Sequence, residues 1–145
     1  GKILYVEYFK NRIYCLDSNL NLQYQSRTID TISTNSVHVA SKGTGDSTGS
    51  MIPMSARKVV NKACFIDNKK LFIVSGLKAD NETADMFSSN VILDAYSIEE
   101  NKYLGSFYVP FLNNLSPLSI MIKNNLLISL YRGYIATFHL PNAMK

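Results

Sequence analysis

The stretch Lys70-Leu71-Phe72-Ile73-Val74 decides the fold, because the chain repeats it. Its counterparts are Lys2-Ile3-Leu4-Tyr5-Val6 near the start and Asn125-Leu126-Leu127-Ile128-Ser129 near the end. A second matched pair, 63–68 and 119–124, precedes the two later copies; its spacing is 56 residues, against 55 between Lys70 and Asn125. A period of this size, built from short strand-like segments, is typical of stacked β-sheet units.

The strand-like segments fall into three groups. Each is a short run rich in β-branched and aromatic residues and bounded by Asn, Asp or Gly turn signals, which predicts a strand. They cover residues 2–9, 12–17, 22–29, then 62–66, 71–75, 91–98, 103–109, then 118–122, 126–130 and 134–140. No segment shows a sustained helical period. The sequence therefore predicts an all-β fold of antiparallel meanders in three units, at about 1–30, 59–110 and 115–141.

Two polar insertions interrupt these units. Residues 31–56 are dominated by Ser, Thr, Gly and Asn and show no periodicity, so they predict a long exposed loop over 31–58. The second insertion covers 78–90.

Composition bounds the class of protein. A chain of 145 residues predicts a single domain over 1–145. The net charge of +4 is spread along the chain, so no basic block predicts a nucleic-acid partner. No apolar run reaches the roughly 18 residues of a membrane span, and the strand pattern at the N-terminus predicts no signal peptide. Cys15 and Cys64 lie in apolar patterns that predict small buried hydrophobes, with a disulfide left open.

Motifs of catalytic and metal sites are incomplete. The run 45–49 matches the Gly-x-Ser-x-Gly pattern of hydrolases, but it lies in the polar loop without the strand and helix that expose such a serine. Lys42 precedes its glycines, whereas the lysine of a phosphate-binding loop follows them. His38 and His139 are far apart and form no zinc cluster. The sequence predicts no catalytic residue, no metal ligand and no cofactor.

The stretch Asp17-Ser18-Asn19-Leu20-Asn21 starts like a calcium loop. Leu22 replaces the glycine of the sharp turn, and Thr28 stands where the bidentate Glu belongs. A hairpin turn stabilised by hydrogen bonds to the Asp17 side chain is the better interpretation.

Four stretches carry a resemblance to a known class: Asn-Lys-Lys-Leu-Phe-Ile-Val at 68–74, Ile-Leu-Asp-Ala-Tyr-Ser-Ile at 92–98, Asn-Lys-Tyr-Leu-Gly-Ser-Phe at 101–107 and Pro-Leu-Ser-Ile at 117–120. They resemble six-bladed β-propellers of the NHL and TolB-like groups, in particular the uncharacterised exported propellers of Bacteroidetes. The resemblance implies four-stranded blades, with the innermost strand missing from the first unit and the outermost from the last. It implies an incomplete ring of three, four and three strands, and a periplasmic or cell-envelope location.

An incomplete ring leaves open strand edges. A fragment of a longer chain, a homo-oligomer that completes its sheets between subunits, and a sandwich of about ten strands are the alternatives. The fragment is the favoured alternative, and self-association through the open edges is expected either way.

The resemblance implies a non-catalytic binding or scaffolding module, since loops on a rigid β scaffold usually carry binding. The partner would be a protein or a small extracellular ligand. Candidate residues in the two polar insertions are His38, Lys42, Asp46, Arg57, Asp80 and Asp85. One alternative is a fragment of a lactonase-like, metal-dependent propeller hydrolase, for which Asp67, Asn68, Asp94 and Asn124 are the plausible contributors. A self-assembling structural subunit is the other.

Overall fold

The computed structural model describes residues 1–34, 39–42, 50–53 and 57–141, and side chains are described for 1–34 and 57–141. These residues form twelve strands and one short helix. In chain order they are β1 (Lys2–Val6), β2 (Arg12–Asp17), β3 (Leu22–Arg27), β4 (Val39–Lys42), β5 (Ser50–Pro53), β6 (Asn61–Asp67), β7 (Lys70–Ser75), α1 (Ala84–Ser89), β8 (Asn90–Ser97), β9 (Lys102–Pro110), β10 (Ser119–Lys123), β11 (Leu126–Tyr131) and β12 (Tyr134–His139).

Three antiparallel meanders make up the fold, and every pair of neighbouring strands is consecutive in the chain. Sheet I has the order β1-β2-β3, sheet II the order β6-β7-β8-β9, and sheet III the order β10-β11-β12. Strands β4 and β5 form a separate two-stranded hairpin. The predicted all-β fold with sheets of three, four and three strands is confirmed.

Two hairpin turns set the register of the repeat. The β6–β7 turn runs through Asn68 and Lys69 and the β10–β11 turn through Asn124 and Asn125, with φ between 44° and 63° at all four. Asn tolerates this left-handed conformation because its short polar side chain bonds locally. The turns lie 56 residues apart, so Leu71 corresponds to Leu127. The predicted match of Lys70 with Asn125 is wrong by one residue, because the turn and not the apolar run sets the register.

Sheet II lies between the other two sheets and is buried on both faces. One apolar cluster joins it to sheet I and contains Ile13, Leu71, Ile73 and Tyr96. A larger cluster joins it to sheet III and contains Phe72, Leu93, Ala95, Val109, Ile122, Leu127 and Leu140. Adjacent residues of β7 thus point to opposite neighbours, which explains why this strand reads as a continuous apolar run.

The two polar insertions contain more structure than their composition predicts. The exposed loop predicted over 31–58 is wrong in part, since it contains the β4–β5 hairpin. The insertion at 78–90 contains helix α1, which begins after the N-cap Thr83. Strands of four residues and a helix of six are too short to show an apolar period.

The two cysteines differ in burial. Both are free thiols, and Cys15 is buried as predicted, whereas Cys64 is exposed, so that prediction is wrong. Cys64 shares the sheet I side of β6 with Ile66, which is 51% exposed. In the described part of the chain, sheet I has no strand opposite β6, because β1 corresponds to β7. The side of β6 that bears Cys64 is therefore uncovered.

Candidate functional site

A cleft of about 680 Å³ lies between the first strands of sheets II and III. Strands β6 and β10 are neighbours there, each at the edge of its own sheet. Its apolar lining comes from Phe65, Val74, Val91, Phe111, Leu118 and Ile120. These side chains converge because alternate residues of a strand share a face, and the facing sides of sheets II and III are both apolar.

Among the described residues that line the cleft, one side chain is charged, that of Lys62. Its ammonium nitrogen lies 5.8 Å from the ring centroid of Phe87 on α1, within the range of a cation–π contact. The other polar side chains are Ser75, Ser88, Asn90, Ser116 and Ser119. The cleft thus combines an apolar wall with a cation and several hydroxyl groups.

Helix α1 is held beside the cleft at both of its ends. The Thr83 side-chain oxygen accepts a hydrogen bond from the backbone N–H of Met86 over 3.2 Å. At the other end, the side-chain amide of Asn90 donates to the Met86 carbonyl over 2.8 Å. The Phe111 N–H donates to the carbonyl of Ser89 over 2.9 Å. These bonds place Phe87 and Phe111 along the same cleft.

Leu118 marks the open side of the cleft. It precedes β10, and its N–H donates to the Leu130 carbonyl over 2.8 Å. Although this bond fixes its backbone, its side chain is 69% exposed. An ordered leucine exposed beside an apolar cleft is a ready contact for an incoming apolar group.

The candidate residues of the first polar insertion do not join this cleft. His38 and Asp46 lie outside the described residues, and Lys42 ends β4 with its side chain outside the description. Arg57 is exposed, and its guanidinium carbon lies 5.5 Å from the ring centroid of Phe9.

The candidates of the second insertion also lie elsewhere. Asp80 lines a separate groove of about 560 Å³, together with Lys58 and Lys78. Asp85 lies in the first turn of α1. Arg57, Asp80 and Asp85 are all absent from the cleft lining, so the structure does not bring these candidates together there.

The residues that sequence reasoning missed are Lys62 and Phe87. Lys62 lies in a segment whose pattern predicts a strand and gives no sign of a binding site. Phe87 lies in the insertion 78–90, where Thr83 followed by Asp85 is a helix-start signal. That signal could have placed a short helix here, but not its position beside β6.

The carboxylates and amides considered for a hydrolase are dispersed. Asp67 ends β6, Asn68 and Asn124 occupy turns, and Asp94 lies in the middle of β8. Within the described ranges, no group of three or more His, Cys, Asp or Glu side chains is arranged to hold a metal ion.

Asp94 has an unusual environment nonetheless. It is 2% exposed and accepts a hydrogen bond from the Ser106 hydroxyl. Burial raises its pKa to about 6, and the nearby charges of Asp30 and Glu82 act in the same direction. Asp94 is on the side of sheet II that faces sheet I, because it pairs with Ile73 across the β7–β8 ladder. It is therefore a buried structural carboxylate apart from the cleft.

The turn at Asp17 is confirmed as a hydrogen-bonded hairpin turn. The Asp17 carboxylate accepts from the backbone N–H of Asn19 over 2.8 Å and of Asn21 over 2.9 Å. It also accepts from the side-chain amides of Asn21 and Gln23. The bonds from Asn21, and then the one from Asn19, lower the pKa of Asp17. The acid thus stabilises the turn between β2 and β3.

No protein-family model matches the chain, and no curated protein matches it. In the described part of the chain, no helix has the length and apolarity that a membrane span requires.

Proposed function

We propose that this chain is a non-catalytic binding module whose cleft between β6 and β10 takes a small ligand with an apolar body and an anionic group. The observation that carries the proposal is the combination of an apolar cleft of about 680 Å³ with one cation, Lys62, among its described lining residues. Ligand pockets commonly have volumes of about 300–1,000 Å³, mostly apolar walls and a few polar groups that orient the ligand.

The chemistry of the lining supports this ligand class. Phe65, Phe87 and Phe111 offer aromatic surface, which favours flat apolar groups. Lys62 offers a positive charge to a carboxylate or sulfonate, and Ser119 offers a hydroxyl donor.

We also propose that the three sheets are consecutive blades of a β-propeller of the NHL and TolB-like type, as in the exported propellers of Bacteroidetes. What supports this is the stacking of three consecutive meanders with a common repeat register. The periplasmic or cell-envelope location belongs to the same proposal.

A titration tests the cleft, with 2-naphthoate as the probe and amide chemical shifts as the measurement. We expect saturable shifts at the amides of Lys62, Phe87 and Ile120. Lys62→Met should weaken binding by about fivefold, because an exposed ion pair contributes up to about 1 kcal/mol. Ala63→Trp should abolish binding, because Ala63 lines the cleft and an indole there occupies it.

The matched control is Lys123→Met, which removes the same charge from an exposed residue outside the cleft lining. It should bind 2-naphthoate like the unmodified chain. Shifts confined to other surfaces, or equal affinities for Lys62→Met and Lys123→Met, would contradict the proposal.

The self-assembling subunit is a second candidate, favoured by the uncovered side of β6. In sheet II, β6 pairs with β7. The counterpart of β7 in sheet I is β1, which is an edge strand. A strand of another copy added beside β1 would cover Cys64. Thiol labelling of Cys64 should then slow as protein concentration rises from about 1 µM to 200 µM. A rate independent of concentration would exclude edge pairing through β1.

A further inference from the structure

The face of sheet I that points away from sheet II, which we call outer face I, carries a group of large apolar side chains. On β1 and β2, Leu4, Val6 and Ile13 pack toward sheet II, so the alternate residues point outward. The apolar residues of outer face I are Ile3, Tyr5, Tyr14, Leu16 and Leu22, and Arg12, Gln25 and Arg27 lie on the same side of the sheet. Ile3, Tyr5 and Leu22 are 44%, 57% and 56% exposed. Three exposed large apolar side chains on one sheet face mark an interaction surface.

Sheet III has a matching surface, which we call outer face III. Ile122 and Leu127 pack toward sheet II, so their sequence neighbours point away from it. The apolar residues of outer face III are Met121, Leu126, Ile128, Leu130 and Ile135, and Ser119, Lys123, Thr137 and His139 lie on the same side of the sheet. Met121, Leu130 and Ile135 are 51%, 44% and 66% exposed. Each end of the three-sheet stack therefore presents a sheet face with exposed large apolar side chains.

The repeat register shows what outer face III corresponds to in sheet II. Since Leu127 corresponds to Leu71, Ile128 corresponds to Phe72. Across the next ladder, Leu130 pairs with Ile135 as Val74 pairs with Leu93. Phe72 and Leu93 are buried against sheet III. Outer face III is thus the counterpart of the face by which sheet II packs on its successor.

Outer face I corresponds to the opposite side of sheet II. The β2–β3 and β8–β9 ladders each have a bulge, between Cys15 and Leu16 and between Ala95 and Tyr96. Matching the bulges makes Leu16 the counterpart of Tyr96, which packs toward sheet I. Outer face I is therefore the counterpart of the face by which sheet II packs on its predecessor.

From this relationship we infer that outer face I of a second copy of this chain packs on outer face III, head to tail. Within the chain, sheet I packs on sheet II and sheet II packs on sheet III through corresponding faces. The proposed contact repeats this arrangement between two copies of the chain. Such a contact is heterologous, so it closes into a ring or extends, according to the rotation between copies. The charged residues on this side of sheet I, Glu7, Arg12 and Arg27, lie at the end of the sheet where β2 begins and β3 ends, which suits the polar rim of an interface. The inference is independent of ligand binding in the cleft.

Light scattering of the full chain from about 5 to 500 µM tests the contact. We expect a mass at least twice the 16.3 kDa of one chain at the upper concentrations. Tyr5→Asp on outer face I and Ile135→Asp on outer face III should each weaken association at least tenfold. The matched control Met86→Asp adds the same charge at an exposed apolar residue of α1, and it should keep the unmodified mass.

Mixing the two variants distinguishes a head-to-tail contact from a contact between like faces. Tyr5→Asp retains outer face III and Ile135→Asp retains outer face I, so an equimolar mixture should form a heterodimer through the two intact faces. A monomer at all concentrations, a loss of association in only one variant, or two variants that both remain associated would each overturn the inference. Circular dichroism checks the fold, and Tyr5→Ser with Ile135→Ser replaces any variant that unfolds.

Discussion

The side-chain amide of Asn61 donates to the backbone carbonyl of Glu7 over 2.6 Å. It also donates to the carbonyl of Lys10 over 2.9 Å, and the backbone N–H of Asn61 donates to the carbonyl of Tyr8. Asn61 is the first residue of β6 and is 4% exposed. One side chain thus ties the start of sheet II to the β1–β2 connection of sheet I.

Replacing Asn61 should loosen the junction between sheets I and II. Asn61→Ala removes two hydrogen bonds, for an expected loss of about 2 kcal/mol in the free energy of unfolding. Asn61→Asp should cost more, because a carboxylate oxygen would face two carbonyl oxygens. Urea unfolding measures both. The exposed Asn81→Ala should change stability by less than about 0.5 kcal/mol, and equal losses for Asn81→Ala and Asn61→Ala would contradict this role.

The buried carboxyl of Asp94 should make stability depend on pH. Its pKa is raised to about 6 in the folded chain, whereas an unfolded Asp titrates near pH 4. Between these values the folded chain binds the extra proton, so the free energy of unfolding should fall as pH rises from about 4 to 6. Asp94→Asn should remove most of this decline and stabilise the chain at pH 7 by roughly 2–3 kcal/mol.

Thermal unfolding of Asp94→Asn at pH 4.5 and 7.5 measures this effect. Burial also raises the pKa of Asp30, so a smaller decline in the same direction should remain. The exposed Asp80→Asn is the matched control and should follow the unmodified chain. If Asp94→Asn lowered the melting temperature at pH 7.5, the buried carboxylate would be a net stabiliser and the prediction would fail.

The two thiols should react at different rates. Cys64 is exposed and Cys15 is fully buried, so a disulfide-exchange reagent should label one thiol in the folded chain and two in denaturant. Although Cys64 is exposed, the protein atoms around its sulfur partly desolvate the thiolate and raise the pKa of Cys64, so its labelling rate should keep rising at pH values above those at which an ordinary thiol has ionised. Cys64→Ser should abolish the fast phase and Cys15→Ser should retain it. Two equally fast thiols would contradict the burial of Cys15.

Gly76 should not tolerate a side chain. A Cβ atom there would lie 2.4 Å from the carbonyl oxygen of Val59, and the Gly76 N–H donates to the Val60 carbonyl over 2.7 Å. Because the obstacle is backbone, Gly76→Ala should cost about 1–3 kcal/mol. Gly133→Ala meets no atom within 4 Å, and its strain comes only from a φ of +95°, so it should cost less. Chemical denaturation ranks the two, and the reverse order would contradict the close approach.

Sequence patterns predicted the sheets well, because each meander is local in the chain. Alternation along β2 and β12 and the turn residues Asn68 and Asn124 carry that information directly. Burial was predicted less well where it depends on the neighbouring sheet. The apolar pattern of β6 predicts a buried Cys64. The residue is exposed because, in the described part of the chain, sheet I has no strand opposite β6.

The cleft was hidden from the sequence for a similar reason. Lys62, Phe87 and Ile120 belong to three different elements, and their proximity depends on how α1 and β10 pack beside β6. The spacing of apolar residues within one segment does not show how that segment packs against another. The predicted candidates in the polar insertions rested on loop composition, which gives no position in space.

The meander topology also has a consequence for the order in which the chain folds. Every ladder joins strands adjacent in sequence, and the β6–β7 and β10–β11 hairpins close through two-residue turns. Little loop entropy is lost before these contacts form, so each sheet can assemble soon after its own residues are available. During synthesis, sheet II would be complete before β10 emerges. The face of sheet II that bears Phe72 would stay exposed until sheet III forms. The temporarily bare surface in the growing chain is therefore the one that becomes the larger apolar cluster.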